Sequence, residues 1–280
     1  MKMKTSHFGF VNEADKIAAA GYDAIELHIK EIMSFDDLEY QKARKLVRDS
    51  GLASEVFDNP LPLDVVVADD DFDFAYYTEY LKKAVDRTAK MGARYFVYGN
   101  GKTRSLPTGQ GNEAEKKKKK AAEKNDRLIR TLCGIASQYN VTVMMEPLAS
   151  QICNSVLSIP EAYEYAKRLE CRNLKTLLDF RWFVAGGHPY SDIVDYADFI
   201  KHVHIDNPLL PFPERRVPMS GDGFDYGRLL DTLKEISYKG YISYEANTFD
   251  NFEKDIRSGL ELLSHYHIYP YRYEEEIRQA

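Results

Sequence analysis

The sequence predicts a (β/α)8 barrel, a closed sheet of eight parallel strands surrounded by helices, as a single domain over residues 1–280. Short apolar, β-branched segments alternate with longer amphipathic segments along the whole chain, which is typical of strand–helix units. The predicted strands begin about 34 residues apart on average, close to the roughly 31 of an eight-unit barrel of about 250 residues. No Gly-x-Gly-x-x-Gly motif follows the first strand, which disfavours an open nucleotide-binding sheet.

Eight strands and eight helices follow from the hydrophobic pattern. The strands are predicted at 4–8, 23–28, 53–57, 94–98, 141–145, 174–178, 200–204 and 241–244. The helices are predicted at roughly 11–20, 36–50, 73–91, 113–138, 160–169, 189–197, 225–236 and 252–265. Gly21 and Gly51 lie where helix ends need a left-handed residue, and Asn112 with Glu115 predicts a capping box at the start of the fourth helix. Because strands separated by helices run parallel, the carboxyl ends of all eight open on one face.

Composition and charge predict a soluble globular protein. The chain is 44% hydrophobic and 29% charged, with a net charge of −6 from 38 Lys and Arg against 44 Asp and Glu. A surface that follows phosphates needs a positive field, so we expect no nucleic-acid partner. Three scattered cysteines fit neither a disulfide framework nor a zinc motif, and no segment approaches 18 apolar residues. We therefore expect a cytoplasmic protein without a membrane partner, in which residues 266–280 form a charged C-terminal tail.

Four consecutive predicted strands end in an ionisable residue, although strands of a covered parallel sheet should be apolar throughout. The fifth strand runs into Glu146, the sixth into Asp179, the seventh into His204 and the eighth into Glu245. Neighbouring strands lie about 4.8 Å apart, so three carboxylates and an imidazole would converge at the face where barrel enzymes place their chemistry. Any one of them could be an ordinary loop-facing residue, but four in succession favour a metal site.

Converging carboxylates repel one another and need protons or a cation. Three oxygen donors and one nitrogen donor suit a divalent ion such as Mn²⁺, Mg²⁺ or Co²⁺, whereas a structural zinc site would be rich in thiolates.

At these positions the sequence resembles the xylose-isomerase-like barrel superfamily of sugar isomerases and epimerases, over essentially the whole chain. The resemblance is carried by the segment Gly21–Leu27, Glu146-Pro147-Leu148 with Asn154, Leu178-Asp179 and His202-Val203-His204-Ile205-Asp206. Nearer the carboxyl terminus, the chain is similar to ketohexose 3-epimerases at Arg215-Arg216-Val217-Pro218, Gly221-Asp222-Gly223 and Gly240–Glu245.

The resemblance implies that Glu146, Asp179, His204 and Glu245 bind one divalent metal ion. Mn²⁺ is the first choice, with Mg²⁺, Co²⁺ or Zn²⁺ as alternatives. It also implies that Glu146 and Glu245 are catalytic and exchange protons with a sugar through an enediolate. Carboxylates on opposite faces would epimerise a centre, whereas one carboxylate that moves a proton between adjacent carbons would interconvert an aldose and a ketose.

Five further residues are candidates for substrate binding, namely His7, Glu26, Trp182, His188 and Arg215. Trp182 stands where these epimerases usually carry a His, so the substrate contact of that His is lost, or His188 or Arg181 supplies it from the same loop. Glu26 points inward, either as a contact to substrate or metal-bound water or as a buried, hydrogen-bonded carboxylate. His7 ends the first strand and has packing or surface exposure as its alternative role. Arg215 binds a hydroxyl or phosphate, or forms a loop salt bridge.

Three other functions compete with a sugar isomerase or epimerase. The same enediolate with a departing hydroxyl gives an inosose-type dehydratase, and a non-catalytic sugar-binding barrel is the next alternative. A three-zinc abasic-site endonuclease would need extra histidines where this chain has Asp58 or Asn59, Tyr98 to Asn100, and Trp182. The 20 Tyr and 14 Phe suit sugar stacking or dimer contacts, so a homo-oligomer stays open.

Overall fold

The predicted (β/α)8 barrel is confirmed by a computed structural model, which describes residues 3–208, 210–219, 221–222 and 224–271. Its strands are β1 (Lys4–Gly9), β2 (Ala24–His28), β3 (Ala53–Asp58), β4 (Tyr95–Tyr98), β5 (Thr142–Met145), β6 (Leu174–Asp179), β7 (Ile200–Ile205) and β8 (Tyr241–Tyr244). Each strand pairs in parallel with the next, and β8 pairs with β1, so the sheet closes. Every observed strand boundary lies within one residue of the predicted one.

Helices surround the barrel. In the described part of the chain they are α1 (Ala14–Ala20), α2 (Ile29–Ser34), α3 (Asp37–Ser50), α4 (Phe74–Ala89), α5 (Gly101–Arg104), α6 (Asn112–Ser137), α7 (Ile159–Leu169), α8 (Phe180–Ala185), α9 (Ser191–Asp195), α10 (Tyr226–Glu235) and α11 (Phe252–His265). The short helices α2, α5 and α8 were not predicted, because four to six residues are too few to show a helical period. Each lies just beyond a strand, at the barrel mouth.

Both predicted glycine helix ends are observed, whereas the predicted helix start at Asn112 is not. Gly21 and Gly51 end α1 and α3 with left-handed φ values of 105° and 73°. The predicted capping box at Asn112 is wrong, because Asn112 is already the first residue of α6 and Gly111 precedes it as the cap. Gly111 has φ of 88° and no side chain to accept a hydrogen bond, so the sharp turn takes the place of a side-chain cap.

The barrel interior is apolar at one end and polar at the other. Six strands contribute to the apolar layer, which consists of Ala24, Val56, Val97, Met144, Leu177 and Tyr241. Side chains two residues apart on a strand share a face. The next inward positions along five of these strands are therefore Glu26, Asp58, Gly99, Glu146 and Asp179. This alternation places four acidic side chains, together with Gly99, directly above the packed apolar layer.

The beginning of the predicted tail packs against the barrel. Ile268 is buried, and the backbone N–H of Tyr271 donates to Asp23 Oδ1 at 2.5 Å. The remainder of the tail, 272–280, lies outside the described residues. Among the described residues, no helix combines the length and apolarity that crossing a membrane requires.

Candidate active site

The ends of β5 to β8 bring the four predicted ligands together. Glu146, Asp179, His204 and Glu245 each offer one donor atom, and these atoms all lie within 4.8 Å of one another. His204 Nδ1 lies 3.0 Å from Glu245 Oε2, 3.8 Å from Glu146 Oε1 and 4.0 Å from Asp179 Oδ2. Three of the side chains are buried, and that of Glu245 is 21% exposed. The cluster therefore lies at the base of the mouth with one open side.

Two atoms at the centre of this cluster form ion-pair contacts but, among the described residues, no hydrogen bond. Within the described ranges, His204 Nδ1 and Glu245 Oε2 have no hydrogen-bond partner, although nearly all buried polar groups in proteins have one. The two atoms lie 3.0 Å apart in ion-pair contact, and Glu245 Oε2 also lies 2.9 Å from Arg215 Nη1. One nitrogen donor beside three carboxylates is a set that suits a hard or borderline divalent cation.

Glu26 lies beneath the cluster and holds both histidines of β7. Its Oε2 lies 2.9 Å from His202 Nε2 and 3.2 Å from His204 Nε2, and its side chain is fully buried. This placement agrees with the buried, hydrogen-bonded alternative for Glu26, whose carboxylate reaches the cluster through His204. A carboxylate on one ring nitrogen fixes the orientation of an imidazole, so Glu26 directs Nδ1 of His204 toward the three acids.

Arg215 supplies positive charge to the same cluster. Its Nη1 lies 2.9 Å from Glu245 Oε2, 3.0 Å from Asp179 Oδ2 and 3.5 Å from Asp206 Oδ2. The side chain is only 7% exposed. Of the two alternatives for Arg215, the structure therefore shows ion pairing, but with site carboxylates rather than with a distant loop.

Arg181 anchors the loop that carries Arg215. It pairs with the buried Asp206 and donates to the backbone oxygens of Asn207, Leu210 and Glu214. The sequence singled out neither Arg181 as a loop anchor nor Asp206 as a site residue. The sequence did contain a signal for Asp206, because this residue continues the inward alternation of His202 and His204.

Trp182 forms an aromatic wall beside the cluster. Its backbone N–H is held by Asp179 Oδ1 at 3.0 Å, and its ring lies 5.2 Å from the Arg215 guanidinium carbon. The ring packs in an apolar group with Leu148, Ala149 and Cys153. Its Nε1 is buried and has no hydrogen-bond partner among the residues described.

The two remaining histidine candidates lie away from the cluster. His188 Nε2 lies 2.9 Å from the Leu157 backbone oxygen, and its ring packs on Phe183, behind Trp182. His7 is fully buried among aromatic rings, with Nδ1 2.6 Å from the Phe8 backbone oxygen. Burial lowers the pKa of His7 to about 4. This environment matches the packing alternative for His7.

Glycine makes room for Glu146. A Cβ on Gly99 would lie 1.8 Å from Glu146 Oε2, far inside van der Waals contact. The carboxylate thus occupies the space where the inward side chain of β4 would otherwise stand. Sequence analysis missed Gly99 because this contact joins two strands across 47 residues.

The model of one protein family matches residues 14–266, and its description is xylose isomerase-like TIM barrel. The chain belongs to this family. No curated protein matches the chain.

Solved structures of family-like barrels agree with this assignment of the fold. The 3-keto-D-glucoside 4-epimerase of E. coli superposes with a TM-score of 0.77 at 17% identity, covering 94% of this chain and 100% of that one. A D-psicose 3-epimerase gives 0.71 at 19% identity, with 91% and 90% covered. A probable 3-DHS dehydratase of Bacillus anthracis gives 0.69 at 16% identity, with 94% and 99% covered.

Charge in this family member's site is balanced through protonation. Burial raises the pKa of Glu146 to about 8, and the Glu245 and Asp179 charges add to this effect. Burial opposes the charged form of His204, yet Glu26 and Glu245 hold its pKa well above the ordinary value. Burial also acts to raise the pKa of Asp179, but Arg215 and His204 outweigh it and lower that pKa. Without a metal, the cluster at neutral pH therefore contains a neutral Glu146 beside an ionised Asp179 and a protonated His204.

Glu146→Gln should make the metal-free chain relatively more stable as pH rises. The pKa of Glu146 is about 8 when folded and near 4.5 when unfolded. The folded state therefore holds the extra proton between these values, and wild-type stability falls as pH rises through them. One pKa unit corresponds to about 1.4 kcal/mol, and we expect the variant to gain at least that much relative to wild type between pH 5 and pH 9. Urea unfolding in EDTA measures it, with the exposed Glu164→Gln on α7 as control; a gain independent of pH contradicts the assignment.

Arg215→Met should destabilise the metal-free chain strongly. Removing one member of a buried ion pair leaves the other charge uncompensated, typically at a cost of about 3–5 kcal/mol. The neighbouring Arg216 is 32% exposed and pairs with the exposed Asp250, so Arg216→Met should change the unfolding free energy by less than about 1 kcal/mol. Urea unfolding at pH 7 compares the two; equal effects would mean that Arg215 does not compensate the carboxylates.

Proposed function

We propose that this protein is a divalent-metal-dependent sugar isomerase or epimerase, in which Glu146 and Glu245 transfer protons through an enediolate intermediate. One observation carries the proposal: Glu146, Asp179, His204 and Glu245 converge from four neighbouring strands to within 4.8 Å. The site lies at the carboxyl ends of the strands, where barrel enzymes carry out their chemistry.

The same four residues are the proposed metal ligands. The unpartnered His204 Nδ1 faces three carboxylates, and Glu26 occupies the other ring nitrogen, as is usual for a metal-ligating imidazole. Because the donor set has three carboxylates, we propose Mn²⁺ first, with Mg²⁺, Co²⁺ or Zn²⁺ as alternatives. A bound divalent ion would stabilise the negative charge that develops on the ketone oxygen.

The two glutamates can serve opposite faces of a sugar. Glu146 follows β5 and Glu245 follows β8, so their carboxylates approach the mouth from different sides. One carboxylate takes the proton from the carbon beside the ketone, and the C–H electrons form the enediolate. The other returns a proton to the opposite face as the carbonyl re-forms, which inverts the centre without net oxidation or reduction.

Trp182 and Arg215 are the proposed substrate contacts. The free Nε1 of Trp182 would donate to a hydroxyl, while its ring and the apolar group around Leu148 would pack on the carbon face of a sugar. Arg215 contacts both Asp179 and Glu245, so any hydroxyl that it binds lies at the reacting centre. Glu26 and His7, being fully enclosed, would act on substrate only through neighbouring side chains.

Epimerisation beside a ketone is the better supported reaction, because a 3-keto-D-glucoside 4-epimerase and a D-psicose 3-epimerase are among the structures most similar to this chain. A dehydratase is the second candidate, since a probable 3-DHS dehydratase is also similar. It would use the same proton abstraction, after which a β-hydroxyl leaves instead of a proton returning.

Heavy water separates these reactions. Incubated with Mn²⁺ and D-fructose, D-psicose, D-tagatose, L-ribulose or a 3-keto-D-glucoside, the protein should place one deuterium beside the ketone and form the epimer, as seen by NMR and mass spectrometry. Glu146→Gln and Glu245→Gln should each lower turnover by about 10²–10⁴-fold, whereas Glu164→Gln should not. Loss of water identifies the dehydratase, and unchanged turnover in both site variants would refute catalysis by these carboxylates.

Gly99→Ala should weaken Mn²⁺ binding. The added methyl group would displace the Glu146 carboxylate, which lies 1.8 Å from its position, and we expect the dissociation constant to rise at least about tenfold, or 1.4 kcal/mol. Gly134→Ala on α6 is the matched control, since its Cβ would meet nothing within 4 Å and alanine favours a helix by about 0.5–1 kcal/mol. Isothermal titration measures both dissociation constants. Equal Mn²⁺ affinity in the two variants would show that Glu146 is not a metal ligand.

A further inference from the structure

Arg104 is a buried guanidinium at the back of the cluster. It ends the four-residue helix α5 and is 2% exposed. Its Nη2 lies 2.5 Å from the backbone oxygen of Glu146 and 3.5 Å from that of Val156. Its Nη1 lies 3.4 Å from the backbone oxygen of Tyr98 and 2.6 Å from Met145 Sδ. The charge is thus bound by neutral backbone and sulfur acceptors.

Stability alone does not account for this arrangement. Burying a charge costs several kcal/mol unless it is well compensated, and apolar residues of similar volume are often neutral or better at such positions. Arg104 also leaves its Nε without a hydrogen-bond partner in the described part of the chain. A methionine would fill a similar volume without a buried charge that needs acceptors. The planar set of guanidinium donors is therefore the feature that needs an explanation.

The Arg104 guanidinium contacts the backbone segments that determine the position of Glu146. Glu146 follows the last residue of β5, and its N–H makes a long bond of 3.3 Å to Tyr98 O at the end of β4. Arg104 contacts both residues of this last rung, at Tyr98 O and at Glu146 O. It therefore reinforces the sheet at the point where regular pairing ends.

The third carbonyl belongs to a strained residue. Val156 has φ of 58°, a conformation that β-branched residues rarely adopt. Its oxygen receives Leu148 N–H at 3.3 Å as well as Arg104, so the loop after Glu146 is tied back to the same guanidinium. Asn125 on α6 in turn donates to Arg104 O at 3.1 Å, which fixes the arginine backbone.

We propose that Arg104 is a positioning residue that sets the orientation of Glu146 by clamping the carbonyls of Tyr98, Glu146 and Val156. It has no part in proton transfer, since it contacts the backbone of Glu146 and not its carboxylate. The inference rests on the proposed function, because it assigns Arg104 a role toward the proton-transfer group and ligand of that site.

Arg104→Met and Arg104→Lys test the clamp, with Arg87→Met as the matched control. Arg87 on α4 is also buried and also donates to two backbone oxygens, those of Ile32 in α2 and of Phe35 just after it. Its Nη2 in addition pairs with Asp37 at the start of α3, so it lies away from the site. Each variant is assayed for ketose turnover in heavy water and for Mn²⁺ affinity. The single tryptophan, Trp182, lies beside the cluster, so its fluorescence reports Mn²⁺ binding without turnover.

Displacing a reacting group by about 1 Å costs on the order of 100-fold in rate. We expect Arg104→Met to lower kcat about 100-fold, to leave KM within about threefold, and to weaken Mn²⁺ binding about tenfold. Lysine restores one donor, so Arg104→Lys should recover part of both losses. Arg87→Met should leave kcat and Mn²⁺ affinity within about twofold of wild type, even if it lowers the melting temperature as much as Arg104→Met does.

Three results would overturn the inference. A folded Arg104→Met variant with wild-type kcat and Mn²⁺ affinity would show that the clamp can be removed without consequence. Equal losses in Arg87→Met would reduce the effect to general destabilisation, and a loss confined to KM would place Arg104 in substrate binding. If wild type neither binds Mn²⁺ nor exchanges deuterium, the proposed function itself fails; a competent wild type matched by its Arg104 variants overturns the clamp alone.

Discussion

Electrostatic compensation of acids at one end of the barrel is the constraint on which the rest of the site depends. Glu146, Asp179 and Glu245 lie together because β5 to β8 are consecutive in the barrel and end at the same face. Like charges at such distances cannot all remain ionised without a counter-charge. Arg215 forms ion pairs with Asp179 and Glu245 and so compensates part of their charge. Arg215 is held in turn by a loop that Arg181 fastens to the barrel. The site is therefore a network of ion pairs and hydrogen bonds, in which the position of each charged residue depends on its neighbours.

The apolar layer beneath makes this concentration of charge tolerable. Ala24, Met144 and Leu177 close the barrel below the cluster, and Glu26 with His202 forms a hydrogen-bonded layer between them. Water is thus kept from the underside, where it would weaken the interaction of Glu26 with His204. The polar groups are aimed upward, so their remaining capacity faces the mouth. A metal or substrate entering there meets donors whose orientation is already determined.

Local pattern and long-range contact explain what sequence analysis found and what it missed. Strands and the four residues at their ends were predictable, because alternation and the ends of apolar runs are local properties. The hydrogen-bond partner of Glu26 was not predictable, because its contact with His204 spans 178 residues. The contacts of Arg104 with Glu146 and Val156 were hidden for the same reason, since they span 42 and 52 residues, and α5 and α8 were too short to have a period. The inward direction of Glu26 followed from its strand, whereas the choice between its two roles required the fold.

The charge distribution also limits the substrate of the proposed reaction. Arg181 and Arg215, the buried cations beside Trp182, are both engaged with carboxylates. A phosphorylated sugar would bring further negative charge to a site that already carries three acids, and it would have to take one of these guanidiniums from its partner. An uncharged sugar would leave these ion pairs in place, and the apolar group around Trp182 is the kind of surface on which the carbon face of a sugar packs. The distribution of charge at the mouth therefore favours a free sugar over a sugar phosphate.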